Sequence, residues 1–522
     1  MFIYRKIVWA LLVLPLVLSV SVSAAETYDL VILNGRVMDP ETKFDAVRHV
    51  GIKDGKIAVI TKDKIKGDET IDAKGHVVAP GFIDMHDHNT AAPFGQKLAL
   101  RDGVTTPMEL EAGVYPVDTW YAYLEGKSQT NYGASVGMIP VRETVFNPKY
   151  KTKAYGDFLY DMQVPKQTHT SMKWSTQIAS DEQIDQIGTL LEKGLKQGAV
   201  GVGHCPGYME FGVTQRESHM AQELAAKYGL FTALHGRYSS QKPPQSGLLG
   251  IDEMMAPQAI HGGGLVVQHM TAQTLGVTPQ ALKMIDDAQA KGIQVIAEIY
   301  PYDFGSTIAG ADYLRPDNYQ NNMGRNYQDI IEVSNMKPLT KARYEELVNS
   351  APGTSVIFYN ATKDTVYQAL AHPNTVLGSD SYPYTIRKTG GPAIAWDTPF
   401  DGVNGHPRGA GAHAKLLRLI REKKVDIPLI DGVAKMSYKI AQFLQDNGVA
   451  QMAHKGRIKV GADADITVFD PITVKDNSTM KDGGLPSSGI PYVVVNGTVV
   501  VKDSKVLKDV FPGQPIRNQV RL

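Results

Sequence analysis

Short runs that alternate apolar and polar residues mark both ends of the chain. Near the N-terminus, YDLVILNGRVMD contains an Asn-Gly pair at 34–35, and VGIKDGKIAVI contains an Asp-Gly pair at 54–55. Near the C-terminus, YVVVNGTVVVKD contains a second Asn-Gly pair at 496–497. Each pair accepts the positive φ of a tight turn and therefore predicts a β-hairpin. Neither end holds enough strands for a core of its own, so we expect both ends to form one small β-sandwich.

Between these ends, from about Pro80 to Leu444, apolar runs alternate with helical patterns. Runs such as AVGVGHC, GLFTALH, GGLVVQH and NTVLGSD each end in a polar or ionisable residue, and stretches such as PQALKMIDDAQAK separate them. This alternation predicts βα units and a parallel sheet. About 360 residues of such repeats suit a (β/α)8 barrel, an α/β fold of the TIM type whose active site lies at the carboxyl ends of its strands. An open doubly wound sheet is the alternative, but no G-x-G-x-x-G fingerprint supports it.

The same patterns divide the chain into four predicted parts. Residues 1–25 form a signal peptide, residues 26–79 and 445–522 form the two parts of the β-sandwich, and residues 80–444 form the catalytic barrel. The signal peptide is predicted because two basic residues precede an apolar run and the small residues SVSAA follow it. That run is too short to span a bilayer comfortably. We therefore expect export to the periplasm or the medium, with no membrane attachment after the signal is removed.

Composition and charge narrow the classes of partner. The 522 residues are 43% hydrophobic and 21% charged, which is an ordinary globular composition. Because 54 basic residues balance 54 acidic ones, no net field attracts nucleic acid or an anionic membrane, and a small-molecule partner is favoured. The single cysteine, Cys205, excludes an internal disulfide. Either a single chain or a homo-oligomer is compatible with these features.

Ionisable residues stand at the ends of five predicted strands. His86 and His88, in VVAPGFIDMHDH, are two residues apart, so an extended strand projects both side chains to the same face. The other residues at such ends are Glu109, Glu111, His235, His269 and Asp380. One such histidine is more often an ordinary core residue, but in a barrel all these positions surround one axis. Four imidazoles with carboxylates then predict a site for one or two divalent metals of the zinc type.

Longer motifs carry a family resemblance over nearly the whole mature chain. They are PGFIDMHDH, GVTT, LHGR, QHM, YPYDFGST, GSD, HPRGAG and the tail KGRIKVGADADITVFDP. With these motifs the chain resembles the amidohydrolase superfamily, and most of all its N-acyl-D-amino-acid deacylase (D-aminoacylase) branch. The resemblance implies a (β/α)8 barrel, a β-sandwich built from both termini, and a site that holds one or two Zn²⁺ ions.

The resemblance also implies a set of metal ligands. His86, His88 and Asp380 would bind one metal, and His235 and His269 would bind the other.

At the bridging ligand the chain departs from its branch. The deacylases have a cysteine after the second strand, where this chain has Ala112, and the fourth strand carries no lysine that could be carboxylated as in other amidohydrolases. A carboxylate could replace either group. We predict Glu111 as the bridging metal ligand and name Glu109, on the same strand face, as the second choice. Cys205, at the end of the fourth strand, is predicted to be a buried inert thiol rather than a ligand.

The predicted reaction follows from the effect of a metal on water. Water beside such ions loses a proton near neutral pH, and the hydroxide attacks a carbonyl that the metal polarises. Asp380 is predicted to take the proton and deliver it to the leaving amine. Tyr302, or Tyr300 in the same YPY, could donate a hydrogen bond to the oxyanion, although simple packing around Pro301 is an equal alternative.

Substrate recognition is predicted from nearby cations. Deacylases of this kind need a cationic group for the free carboxylate of the amino acid, and Arg387 or Lys388 in the loop after Asp380 could provide it. Thr271 stands where the branch has a lysine, so half of this clamp is missing. Arg237 or Arg408 could compensate, and Tyr300 is a further predicted contact, although Arg408 could equally be a structural ion-pair residue.

Together these observations predict a zinc-dependent amidohydrolase that deacylates N-acyl amino acids, most of all those of D configuration. A hydrolase of cyclic amides or dipeptides is the alternative within the superfamily, and a catalytically silent barrel used for binding is the alternative outside enzymes. The Asn-rich segment from 301 to 355 either covers the site or is a surface excursion.

Overall fold

The structure is a computed structural model, and it describes residues 27–152, 157 and 172–519 together with Met1. The predicted signal peptide, apart from Met1, lies outside the described residues. Within the described ranges, no helix is both long enough and apolar enough to cross a membrane.

Eight parallel strands form the central sheet, and each pairs with the next along the chain. They are β1 (Phe82–Asp84), β2 (Val104–Val114), β3 (Gly133–Gly137), β4 (Gly201–His204), β5 (Phe231–Leu234), β6 (Gly264–Val267), β7 (Val295–Ile299) and β8 (Thr375–Leu377). A bridge between Asp87 and Ser381 joins the segments that follow β1 and β8, so the sheet nearly closes into a barrel. The predicted (β/α)8 fold is confirmed.

A second sheet draws its strands from both ends of the chain. Its nine strands are Tyr28–Asp39, Phe44–Lys53, Lys56–Thr61, Gly67–Asp72, Val77–Pro80, Ile466–Phe469, Tyr492–Val495, Thr498–Lys502 and Lys505–Val506. The N-terminal and C-terminal strands meet where Val77–Pro80 pairs antiparallel with Ile466–Phe469. Alternate residues of these strands face one apolar core, which includes Ile32, Val50 and Val494. The two chain ends therefore form one β-structure beside the barrel, as predicted.

Two of the three predicted hairpin turns are confirmed, and one is wrong. The pairs at 54–55 and 496–497 connect antiparallel neighbours, and their residues adopt positive φ. At 34–35 the strand Tyr28–Asp39 continues without turning. Asn34, with φ of 62°, lies where the register against the neighbouring strand shifts, so this pair forms a β-bulge instead of a hairpin.

Helices alternate with the barrel strands and surround them. Those of the described chain are Pro93–Arg101, Val117–Leu124, Met138–Phe146, Lys173–Thr176, Asp181–Lys196, Gln215–Lys227, Gly247–His261, Met270–Thr274, Thr278–Ala290, Pro316–Met323, Lys341–Ser350, Lys363–Ala371, Arg408–Arg421, Leu429–Lys435 and Tyr438–Asp446. Asp181–Lys196 shows how the sequence starts such a helix, since Ser180 and Gln183 form a capping box and satisfy free backbone N–H groups. Its apolar residues Ile184, Ile187 and Leu191 recur at helical spacing and are buried.

An insertion separates β7 from β8. It holds a small antiparallel sheet with the strands Phe304–Ile308, Ile330–Glu332, Lys337–Pro338 and Ser355–Tyr359. A shorter pair, Thr385–Ile386 and Val403–Asn404, follows β8. Both additions lie after strand ends, which is where a (β/α)8 barrel places its active site.

Candidate metal centre and active site

The six predicted metal ligands converge at the carboxyl ends of the barrel strands, and all six are buried. They are His86 and His88 after β1, Glu111 in β2, His235 after β5, His269 after β6, and Asp380 after β8. Residues that follow or lie in five different strands therefore meet in one cluster, although they are far apart in the chain.

One part of the cluster gathers around one oxygen of Glu111. The Nε2 atoms of His86 and His88 are 3.2 Å apart, and they lie 3.4 and 3.5 Å from Glu111 Oε2. The same two nitrogens lie 3.4 and 3.6 Å from Asp380 Oδ1. We call these four side chains the first half-site.

The other part gathers around the second oxygen of Glu111. His269 Nε2 lies 2.6 Å and His235 Nδ1 lies 2.9 Å from Glu111 Oε1, and the two nitrogens are 2.8 Å apart. We call Glu111, His235 and His269 the second half-site. Since each carboxylate oxygen of Glu111 faces a different histidine pair, Glu111 is the residue that would hold two metal ions together if both were bound.

The donor set fits zinc. Ligand atoms of His86, His88 and Asp380 lie within 4.8 Å of one another, and so do those of His86, Glu111 and His269. Imidazole nitrogens and carboxylate oxygens are ordinary zinc ligands. Ring nitrogens that face each other at about 3 Å also need a proton or a cation between them.

Two buried carboxylates contact the Nδ1 atoms of two histidine ligands, opposite the Nε2 atoms that face the cluster. Glu109 Oε2 lies 2.8 Å from His88 Nδ1, and Glu298 Oε2 lies 2.9 Å from His86 Nδ1. When each Nδ1–H donates to its carboxylate, the Nε2 lone pair is free to bind metal. This position disfavours Glu109 as the bridge, because its carboxylate is engaged on the outer side of His88.

The charges within the cluster stabilise one another. Burial would lower the pKa of His86, but the carboxylates of Asp380 and Glu111 outweigh burial and raise that pKa to about 10. Burial would raise the pKa of Glu111, but the neighbouring imidazoles, His86 first, hold it well below its usual value. Without metal the His86 and His88 imidazoles therefore hold protons beside ionised carboxylates, which is the arrangement that a cation can replace, whereas burial lowers the pKa of His235.

We expect the zinc affinity of the metal-free protein to rise from about pH 6 to about pH 8. The pKa of His86 is raised to about 10 and that of His88 is raised well above its usual value, so zinc must displace protons from both rings. Calorimetric titration with zinc in buffers of different ionisation enthalpy measures this proton release. An affinity independent of pH, with no proton released, would contradict this account.

A narrow pocket opens onto the cluster. Its lining residues are Glu111, Tyr208, His235, Ser239, His269, Ala272, Tyr300, Gly305, Ser306, Tyr313, Phe358, Asp380 and Arg408. Gly305, Ser306, Tyr313 and Phe358 come from the insertion between β7 and β8. Of the two predicted roles for that segment, the structure therefore supports covering the site.

Tyrosine and arginine residues in the pocket differ in part from those predicted. Tyr300 lines the pocket, whereas Tyr302 is not among its lining residues. The Tyr302 hydroxyl donates to the Pro407 carbonyl at 3.5 Å, and its ring packs against Phe304 and His406. Of the two predicted tyrosines, Tyr300 is therefore the one that lines the pocket, whereas Tyr302 packs beside it.

The two arginines predicted to bind substrate are also engaged elsewhere. Arg387 donates from Nε to Asn404 Oδ1 at 2.9 Å, and its side chain is 43% exposed. Arg237 forms a paired contact with Glu253, at 2.7 Å from both Nε and Nη2. Neither arginine lines the pocket. Both predictions are corrected, because distant side chains already satisfy these guanidinium groups.

Arg408 is the cation that the structure places in the pocket. Its side chain is 1% exposed, and Nη2 lies 2.6 Å from Asp380 Oδ1 and 3.2 Å from the Ser306 carbonyl. Its guanidinium group also lies 4.8 Å from the ring centre of Tyr300. The sequence marked Arg408 only as an alternative.

Glu298 is a buried carboxylate beside the predicted ligands that the motifs did not identify. A signal was available, since it is the one acidic residue in VIAEI, a strand whose residues are all buried. A charged side chain in such a strand needs a partner, and here the partner is a predicted ligand.

The barrel and its cluster of histidines and carboxylates define a metal-dependent hydrolase. A model of the Amidohydrolase family matches residues 69–134. An N-acyl-D-glutamate deacylase from Alcaligenes xylosoxydans xylosoxydans is 28% identical, over 91% of this chain and 94% of its own. A D-aminoacylase from the same organism is 25% identical, over 92% of this chain and 96% of its own.

A solved structure shares the fold. The N-acyl-D-glutamate deacylase from Bordetella bronchiseptica, complexed with zinc and a phosphonate inhibitor, superposes with a TM-score of 0.73 at 24% identity, and the match covers 94% of this chain and all of that one. Over nearly its whole length the chain is similar to N-acyl-D-amino-acid deacylases, and part of it matches the amidohydrolase family model. It is a metal-dependent hydrolase that acts on carbon–nitrogen bonds other than peptide bonds.

Proposed function

We propose that the protein removes the acyl group from N-acyl amino acids, most of all those of D configuration. One observation carries the proposal: a single pocket is lined by four of the predicted zinc ligands and by one cation, Arg408. The four ligands are Glu111, His235, His269 and Asp380. Hydrolysis of such a substrate needs an activated water, a proton carrier and a group that binds the free carboxylate. When bound, zinc would lower the pKa of water and polarise the amide carbonyl.

Asp380 serves as the proton carrier. Burial would raise its pKa, but Arg408 and His86 outweigh burial and lower it to about 2, so the carboxylate is ionised at neutral pH. It accepts the proton of the attacking water and then donates it to the amine nitrogen, since an amine leaves poorly without a proton.

Tyr300 donates a hydrogen bond to the oxyanion. Its hydroxyl oxygen accepts from Asn360 Nδ2 at 2.9 Å, which leaves the O–H free to donate. Burial raises the pKa of Tyr300, so the hydroxyl keeps its proton at neutral pH. A donor in a closed pocket stabilises developing charge more strongly than one in water.

Arg408 binds the free carboxylate of the amino acid. Among the described residues that line the pocket, it is the one lysine or arginine. Its Nε is buried and has no hydrogen-bond partner among the described atoms, so it can still donate. It would therefore supply the cationic group that the branch takes from the lysine replaced here by Thr271.

We expect Arg408→Lys to lower kcat/KM for an N-acetyl amino acid by roughly 10–100-fold, because a charged hydrogen bond contributes about 1.5–3 kcal/mol. Steady-state kinetics should be compared with the N-acetyl amino acid amide, which lacks the carboxylate. The defect should be much smaller with the amide. Arg387→Lys is the matched control and should leave kcat/KM unchanged. Equal defects with both substrates would argue that Arg408 acts only through Asp380.

A screen of N-acyl-D- and N-acyl-L-amino acids with the zinc-loaded protein tests the proposed function. Amine release from the D series would support it. Turnover of hydantoins or dipeptides alone would favour the alternative hydrolase, and a zinc-loaded protein without any turnover would favour a silent binding barrel.

We also propose that the mature protein is exported to the periplasm or the medium. The order of basic, apolar and small residues over positions 1–25 supports this proposal. Expression of the full chain and sequencing of the mature N-terminus test it. A mature chain in the cytoplasm that still begins at Met1 would contradict export.

A further inference from the structure

Glu298 is a charged residue in an otherwise apolar strand of the barrel. It lies in β7, its side chain is fully buried, and its neighbours Ala297 and Ile299 are also fully buried. Moving a carboxylate out of water is costly unless hydrogen bonds compensate for the lost solvation. The contacts of Glu298 therefore have to account for its position.

One oxygen of Glu298 contacts both half-sites of the metal centre. Oε2 lies 2.9 Å from His86 Nδ1 and accepts from the backbone N–H of His269 at 2.7 Å. His86 belongs to the first half-site and His269 to the second. Glu298 thus supports one ligand from each half-site and contacts them on the side away from the ligand nitrogens.

The bond to His269 acts on a strained backbone. His269 has φ of 30° and ψ of 48°, in the left-handed region that residues other than glycine seldom adopt. Such a conformation persists only where the surroundings hold it. The Glu298 carboxylate accepts from the N–H group of this very residue, so it helps to hold the backbone that presents the His269 imidazole.

We infer that Glu298 is a positioning residue that couples the two half-sites. It orients the His86 ring and holds the His269 backbone, so its loss weakens metal binding in both half-sites. The inference rests on the metal centre of the proposed function but not on any substrate. Glu109 provides the contrast, since it contacts the ring of His88 and therefore supports one ligand of the first half-site.

The test measures zinc dissociation constants by competition with a chelator. Each half-site is measured by itself in a parent variant that lacks a ligand of the other. The His235→Asn background keeps the first half-site intact, and the His88→Asn background keeps the second intact. Glu298→Leu and Glu109→Leu are then placed in each background. Loss of such outer partners typically weakens metal binding by about 10–100-fold.

Glu298→Leu is expected to weaken zinc binding by about 10–100-fold in both backgrounds, whereas Glu109→Leu should do so in the His235→Asn background alone. Glu298→Gln keeps the size of the side chain and an oxygen acceptor, so it should recover part of the affinity in both. It also serves as the test if the Leu variant does not fold.

Two results would overturn the inference. One is that the Glu298 variants weaken a single half-site, as Glu109→Leu does, and the other is that they leave both constants unchanged. If the unsubstituted protein binds no zinc, the proposed function itself fails. If the unsubstituted protein binds zinc and the Glu298 variants have the same zinc dissociation constants, only the inference about Glu298 is wrong.

Discussion

Replacing Asp380 with Asn is expected to lower kcat by about 10²–10⁴-fold, the range that a positioned acid or base contributes. The carboxamide keeps the shape of the side chain and one oxygen, but it cannot take a proton from water and deliver it to the amine. Asp380 Oδ1 lies within 3.6 Å of both histidine nitrogens of the first half-site, so zinc analysis must accompany the kinetics. We expect zinc to remain bound in this variant.

Asp401→Asn is the control for Asp380→Asn, because Asp401 is an exposed aspartate in the same part of the chain. It should leave both kcat and zinc content unchanged. Full activity in the zinc-loaded Asp380→Asn protein would remove Asp380 as the proton carrier. Loss of activity together with loss of zinc would assign Asp380 to metal binding alone.

Replacing Glu111 with Gln is expected to cause the largest loss of zinc. The two oxygens of Glu111 lie 2.6–3.5 Å from four histidine nitrogens, and a neutral amide offers only one oxygen and no charge. Zinc affinity should fall by more than the roughly 10–100-fold that follows loss of an outer partner. Elemental analysis after dialysis should show less zinc per chain, and amine release should fall with it.

Glu109→Gln is the matched comparison for Glu111→Gln, since both glutamates lie in β2. It should retain more zinc, because Glu109 contacts the outer nitrogen of His88. If Glu111→Gln keeps its full zinc content and Glu109→Gln loses zinc, the bridge belongs to Glu109.

Local patterns in the sequence were sufficient for the fold and for the types of residue at the metal centre. Alternating strands with Asp-Gly or Asn-Gly turns predicted two hairpins that the structure contains. Histidines and carboxylates at the ends of apolar runs predicted one cluster, because parallel strands of a barrel end at the same face. That argument needs only the order of residues along each strand. It therefore holds for residues far apart in the chain, such as His86 and Asp380.

Which side chains are free at the site depends on contacts between residues that are far apart in the chain, and no local sequence pattern predicts such contacts. Arg387 and Arg237 are cations at plausible positions, yet Asn404 and Glu253 already engage them. The pair at 34–35 has the residues of a turn, but pairing with the neighbouring strand makes it a bulge. The choice of Tyr300 over Tyr302, the position of Arg408 and the two contacts of Glu298 likewise depend on packing across the barrel. The sequence by itself thus determined which chemical groups reach the carboxyl face of the barrel, whereas only the tertiary structure decided which of them stay free to act.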